Sequence, residues 1–178
     1  AFHDVIDTFL VSHINDAEEI VSAQISAIGF VSPIMTICQA LAIGMMTAGT
    51  ALMSQYIGAK KEDRAGKVSG QLLMLCTIVG LFFNVLLYFM APTILHWMDA
   101  EGYLYDYSLT YIRIRSFEQT GLFIFYAYQA TRQSQGDTVT PVIINSASII
   151  LNIVLTALFI YGMGMDIAGA AIGTVIAN

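Results

Sequence analysis

Apolar positions run through this chain in long uninterrupted stretches, and the charged positions gather between them. Charge-free segments extend from Ile20 to Ala59, Val68 to Met98, Thr138 to Met165 and Ile167 to Asn178. Each of the first three exceeds the roughly 20 residues that a helix needs to cross a bilayer core. Apolar residues on every face of such a run predict helices whose surroundings are lipid. The pattern gives an all-α, polytopic transmembrane bundle of six helices, at about 1–13, 21–57, 68–97, 107–134, 141–161 and 167–178. The second is longer than a perpendicular span requires, so it is expected to tilt or bend, with Pro33 relieving its first part. Thr140 followed by Pro141 reads as an N-cap and first-turn pair that launches the fifth. Ala40, Gly44 and Ala48, then Gly66/Gly70 and Gly169/Gly173, have the spacing that lets a second helix backbone approach closely. The first helix starts near its interior at Ala1 and the last stops at Asn178 within an apolar run. Residues 1–178 are therefore expected to be a single lobe of a longer chain.

Composition agrees with the pattern and removes other classes. The chain has 178 residues, 57% hydrophobic and 11% charged, too apolar for a soluble domain of this size. Cys38 and Cys76 fall inside predicted spans, where a thiol packs as a small apolar side chain and implies neither a redox compartment nor a metal site. The net charge of −6 speaks against a nucleic-acid partner, but sidedness says more than the sum. Lys60, Lys61, Arg64, Lys67 and Arg132 lie at the loops near 58–67 and 132–138. The opposite loops carry Asp16, Glu18, Glu19, Asp99, Glu101, Asp106 and Asp166 without one Lys or Arg. The positive-inside rule makes the basic loops cytoplasmic in a plasma or inner cell membrane. Arg113 and Arg115, inside the fourth helix, are the exceptions.

The candidate chemistry centres on Asp7, in the run Val5-Ile6-Asp7-Thr8-Phe9-Leu10-Val11. A carboxylate at membrane depth is disfavoured by several kcal/mol and is usually kept for ion or proton handling. Asn145, Ser148, Asn152 and Thr156 follow 3-4-4 spacing and so share one helix face. Counting about 1.5 Å per residue puts Asn152, Thr156 and Thr174 at the depth of Asp7. Interhelical hydrogen bonding is the plainer account of that stripe. Arg115 and Glu118, at i,i+3, read as an internal salt bridge, with Glu118 as a second titrating acid the sharper alternative. Asp4 is a satellite of Asp7 or the lining of a wet cavity. Tyr103, Tyr105, Tyr107 and Tyr111 read as an interfacial aromatic belt, and the deeper Tyr126 and Tyr128 as a weaker candidate for an aromatic wall facing an organic cation. The sequence has no Walker loop, His/Cys ligand cluster or nucleophile elbow. It does not read as an enzyme, no cofactor or structural metal is expected, and transport would have to run on an ion gradient.

Four separated segments resemble one family, the multidrug and toxic compound extrusion (MATE) transporters. They are the Asp7 run, Ala48-Gly49-Thr50-Ala51-Leu52-Met53-Ser54-Gln55-Tyr56-Ile57-Gly58-Ala59, Gln135-Gly136-Asp137-Thr138-Val139-Thr140-Pro141, and Leu151-Asn152-Ile153-Val154-Leu155 with Ala168-Gly169-Ala170-Ala171. The resemblance implies the amino-terminal lobe of a twelve-helix, two-lobe secondary transporter. Its missing carboxy-terminal lobe would face this one across a cleft through which a small organic, cationic or amphipathic substrate leaves by antiport with H⁺ or Na⁺. It also implies that Asp7 is the coupling carboxylate, with Asn152 and Thr174 as polar partners. Thr156 departs from a pattern that often has Asp there, which favours H⁺ and leaves Na⁺ at Asp7 the second choice; Glu118 departs as an added acid. Two rival functions are a lipid-linked oligosaccharide flippase of the same superfamily, which needs a cationic cleft, and a non-transporting scaffold or channel subunit, which has no need of Asp7.

Overall fold

The computed structural model describes residues 2–12, 18–163 and 165–177, and among these the regular structure is entirely helical. The order is α1 (Phe2–Val11), α2 (Glu18–Gly58), α3 (Glu62–Trp97), α4 (Gly102–Ser116), α5 (Glu118–Ser134), α6 (Val139–Ala157), a π-helical turn (Leu158–Gly162) and α7 (Asp166–Ala177). Of the loop expected over Asn15-Asp16-Ala17-Glu18-Glu19, the first three residues lie outside the described part. Glu18 and Glu19 are already in α2, which starts at Glu18 instead of near Val21, where acidic residues suit the positive end of the helix dipole.

Element ends differ from the sequence reading for physical reasons. α3 starts at Glu62 instead of near Val68, because Glu62 and Asp63 complement the positive end of its dipole and carry the helix into water. The fourth predicted helix begins at Gly102 and is two helices, α4 and α5, divided at Phe117. There the Phe117 N–H bonds to the Ile114 carbonyl at 3.2 Å, a tightened i−3 turn in place of the α-helical bond. Thr140 does not cap α6. Asp137 does, its Oδ1 accepting from the Thr140 N–H at 3.0 Å, and it also pairs with Arg132. That amide is the main reason the Asp137 carboxyl is held below its usual range, with Arg132 contributing less. Chain reversals after α2 and α5 both close with paired bonds, Lys61 N–H to the Tyr56 carbonyl and Asp137 N–H to the Arg132 carbonyl. The left-handed position of that motif is Gly136 after α5, and Lys60, at φ 58°, after α2.

The burial pattern runs opposite to that of a soluble protein. Leu73, Met74, Ile78, Phe82, Val85 and Phe89 on α3, and Val142, Ile143, Ile150 and Val154 on α6, are exposed. Many of the buried positions are small or polar, among them Ala27, Ala42, Ala91, Ala170, Ala171, Gln24, Asn152, Thr156 and Thr174, beside larger apolar side chains. Lipid accounts for both halves of this, since apolar surface needs no burial there and helices associate through close packing and hydrogen bonds. α2, α3 and Val139–Gly162 are each long and apolar enough to span a bilayer.

Two apolar clusters stack along the bundle. Val11, Ile28, Val31, Tyr111, Ile112, Ile160 and Ile167 form one, and Met53, Leu72, Cys76, Phe123 and Ala127 the other. α3 packs along α5, α2 against both α4 and α5, and α6 against α7, which also meets α1 and α4. Close backbone approach occurs at Gly80, where a Cβ would lie 2.9 Å from Thr120 Cα, and at Gly173, where it would lie 2.9 Å from the Thr156 backbone nitrogen. Gly44, Gly66 and Gly70, which have the same small-residue spacing, face open space.

Candidate functional site

Four helices meet around Asp7. About one turn before the end of α1, this residue shows no exposure at all. From α4, the Tyr111 hydroxyl donates to Asp7 Oδ2 at 2.9 Å, and Arg115 Nη1 lies 3.5 Å from the same oxygen. From α7, the Thr174 hydroxyl lies 3.2 Å from Oδ2 and 3.4 Å from Oδ1, in reach of donating to either, with the Ala170 carbonyl as its competing acceptor at 3.0 Å. From α6, Asn152 Nδ2 donates to Thr174 Oγ1 at 2.9 Å and reaches Thr156 Oγ1 at 3.3 Å.

The local fold explains why these groups converge. The 3-4-4 stripe on α6 turns its inner members, Asn152 and Thr156, into the α6–α7 crossing, which Gly173 permits by lacking a side chain. Asn145 remains exposed, and Ser148 Oγ instead donates to the Ala177 carbonyl at 2.7 Å. At the far end of α6 the π turn widens the helix, and Tyr161 donates to the Leu10 carbonyl at 2.9 Å, tying α6 to α1 just beyond Asp7. Among the described residues, the buried Asn152 Oδ1 has no hydrogen-bond partner.

Tyr111 belongs to this site and not to an interfacial belt: it is 1% exposed and its hydroxyl is the hub between Asp7 and Arg115, accepting from Arg115 Nη1 at 2.8 Å. Arg115 pairs with Glu118 as its spacing suggests, Nε to Oε2 at 2.5 Å, and the same guanidinium reaches Asp7. One buried cation thus stands between two buried acids. Sequence reasoning missed Tyr111 and Arg115 as partners of Asp7. The signal was present, since Ser108, Tyr111, Ile112 and Arg115 repeat at helical spacing and share the buried face of α4. Tyr126 is not in this group; its hydroxyl accepts from Gln39 Nε2 of α2 at 3.0 Å. The side chain of Asp4 lies outside the described part of the structure. No set of three His, Cys, Asp or Glu among the described residues is arranged to hold a metal.

A family model described as MatE matches residues 1–158. The chain belongs to the MatE family. Among curated MatE-like relatives, the Multidrug export protein MepA of Staphylococcus saprophyticus is 24% identical over 176 residues, covering 99% of this chain and 38% of that protein. The Probable multidrug resistance protein YoeA of Bacillus subtilis is 27% identical over 158 residues, covering 86% of this chain and 34% of its own length. A solved structure described as the inward-facing conformation of a multidrug resistance MATE family transporter of the MOP superfamily superimposes with a TM-score of 0.91. It does so at 22% identity, over 99% of this chain and 39% of the other. The resemblance carried by the four sequence segments is therefore upheld, and the all-α membrane bundle is the MatE fold. The chain spans about 38% of the length of the first of these relatives.

Proposed function

We propose that residues 1–178 act as one lobe of a secondary transporter. It exports organic cations or amphipathic compounds by antiport with an ion taken up at Asp7. The observation that carries this reading is the burial of Asp7 with Tyr111, Arg115 and Thr174 directed at its oxygens. A carboxylate that only packed helices together would be replaced at lower cost by a neutral amide; one kept ionisable at this depth is suited to gain and lose a positive ion. Binding that ion changes the charge of the layer and so the relative free energies of two arrangements of the lobe, one of which holds substrate and the other of which releases it.

The proton is the favoured ion. Asp7, Glu118 and Arg115 together carry one net negative charge, and either a proton or a sodium ion would cancel it, so charge does not separate the two. Coordination does. Sodium prefers several oxygen ligands, and here Oδ2 of Asp7 is already contacted by Tyr111, Arg115 and Thr174. A sodium ion would have to turn those donors away, whereas a proton needs one lone pair of the carboxylate. After protonation Arg115 keeps Glu118 as its counter-charge, so the guanidinium is not left unpaired. By this reading Asn152, Thr156 and Thr174 are the polar partners of the coupling acid, Glu118 is its electrostatic counterweight, and the basic loops near 58–67 and 132–138 are cytoplasmic.

The test is efflux of a fluorescent organic cation from proteoliposomes that contain the full-length protein. Wild type should respond to an imposed pH gradient without sodium, Asp7→Asn should insert normally and lose gradient-driven efflux, and Thr156→Asp should raise the response to sodium. Unchanged efflux in Asp7→Asn would reduce the residue to packing. Efflux that needs sodium and ignores the pH gradient would overturn the proton assignment alone.

A further inference from the structure

On the face where α3, α4 and α7 meet, a groove of about 470 Å³ is walled by Tyr88, Leu109, Phe117, Ile172 and Val175, with Arg113 among them. Its volume is within the roughly 300–1,000 Å³ of small-molecule sites. The Arg113 guanidinium carbon lies 5.4 Å above the Tyr88 ring, and Phe117 stacks edge-on against that ring at 6.0 Å. Among the described residues no carboxylate lies within ion-pair distance of Arg113, and its buried Nε has no hydrogen-bond acceptor. Arg115, two residues on, has both Asp7 and Glu118, so the contrast is between neighbours on one helix. A lone cation at membrane depth is costly, and where it persists it faces a charge or a wet path.

The depth of the groove indicates which charge. α3 has 36 residues and is about 54 Å long, and its charged start, Glu62 to Lys67, belongs outside the hydrocarbon. Counting about 20 residues onward from Val68 brings the far hydrocarbon boundary to about Tyr88. Arg113, against the Tyr88 ring, is therefore at the level where its side chain can reach lipid phosphates, while Phe117, Ile172 and Val175 line the acyl region beside it.

We propose that this groove is a binding site for an anionic phospholipid of the leaflet on the Trp97 side, its phosphate held by Arg113 and one acyl chain laid along the apolar walls. The guanidinium fork matches a phosphate in two parallel hydrogen bonds, and its charge supplies the selectivity, because the choline of a zwitterionic lipid already offsets the same phosphate; the apolar walls would accept any lipid. This site is separate from Asp7 and does not depend on the transport reading.

Full-length protein in mild detergent, equilibrated with phosphatidylglycerol and phosphatidylcholine of identical acyl chains and examined by native mass spectrometry, should retain phosphatidylglycerol preferentially. Arg113→Gln should reduce that preference about tenfold, the scale of one charge-assisted hydrogen bond, and Arg113→Lys should keep part of it. Equal retention of both lipids by wild type, or an unchanged preference in Arg113→Gln, would overturn the proposal. If Arg113→Gln does not fold, a photoreactive benzoyl-phenylalanine at Phe117, activated in native membranes, decides instead. A phospholipid adduct supports the site; a cross-link without phospholipid, including one to a carboxy-terminal segment of the same chain, overturns it.

Discussion

Adding one methyl group at Gly173 tests whether the polar layer depends on backbone contact between α6 and α7. In Gly173→Ala the new Cβ falls 2.5 Å from Thr156 Oγ1, 2.9 Å from its backbone nitrogen and 3.0 Å from its Cα. A hydroxyl can rotate away, but the nitrogen and Cα move only with the helix. Non-bonded carbon contacts are comfortable at about 3.5–4.0 Å, so the axes have to part by roughly 0.5–1 Å. The Asn152 Nδ2 to Thr174 Oγ1 bond crosses the same interface at 2.9 Å. Stretched by that amount, it passes the useful limit of about 3.2 Å. Overpacking costs about 1–3 kcal/mol and the lost bond about 1 more, so a loss of about 2–4 kcal/mol is expected. Gly44→Ala on α2 is the control: nothing lies within 4 Å of its Cβ, and Ala is favoured over Gly in a helix by up to about 1 kcal/mol. Heating both variants of the full-length protein in detergent and following the monodisperse peak by gel filtration should show Gly173→Ala failing several degrees below wild type. Gly44→Ala should match or exceed it. Gly173→Ala should also transport poorly, because Asn152 is drawn away from Thr174 and, through it, from Asp7. Equal melting and equal efflux in the two variants would mean that α6 and α7 do not touch at this point.

Other substitutions separate the remaining contributions. Arg115→Gln leaves Asp7 and Glu118 buried without their shared cation and should cost about 3–5 kcal/mol, while the double variant Arg115→Gln/Glu118→Gln should regain part of that in the same melting assay; a double variant no better than the single one would refute the coupling. Single cysteines at Lys61 and Glu101, in a background lacking Cys38 and Cys76, should be labelled by an impermeant thiol reagent from opposite faces, with Lys61 inside. For Asp137, whose folded carboxyl is held low, the cap is fully present above the unfolded value of about 3.8 and is lost as pH falls through the lower folded value. Hydrogen exchange at the Thr140 amide should therefore be slower in wild type than in Asp137→Ala at neutral pH, and the two should converge only in strong acid.

The α6 half of the site was legible in the sequence and the α4 half was not, and geometry explains the difference. Asn152 and Thr156 stand in a stripe whose period fixes their common face, and counting 1.5 Å per residue from a helix end fixes their depth. Asp7 and Thr174 needed only the depth count. Tyr111 and Arg115 required knowledge of how α4 is rotated about its own axis, because both an aromatic belt and a buried hub are compatible with a tyrosine near an acidic turn. The break at Phe117 made this harder: it divides what reads as one helix, so the phase of α5 does not report on that of α4. Small-residue spacing was similarly ambiguous. Gly169 and Gly173 lie against a neighbouring backbone while Gly44, Gly66 and Gly70 do not, and the interval alone does not show which face meets a partner.

The placement of Arg115 bears on why a chain with Thr at position 156 retains an acid at Glu118. A guanidinium stays charged under any condition the protein meets, so burying it beside Asp7 commits the lobe to a permanent positive charge at that depth. With Asp7 as its only partner, the pair would be neutral when Asp7 is ionised and would carry an uncompensated cation when Asp7 is neutral. Glu118, 2.5 Å from Arg115 Nε, reverses that situation: the trio is neutral when Asp7 is protonated and negative when it is not. The two states then differ by one negative charge and not by one exposed positive charge. That is the form a site needs if it is to attract a positive ion and become electrically silent once the ion is bound.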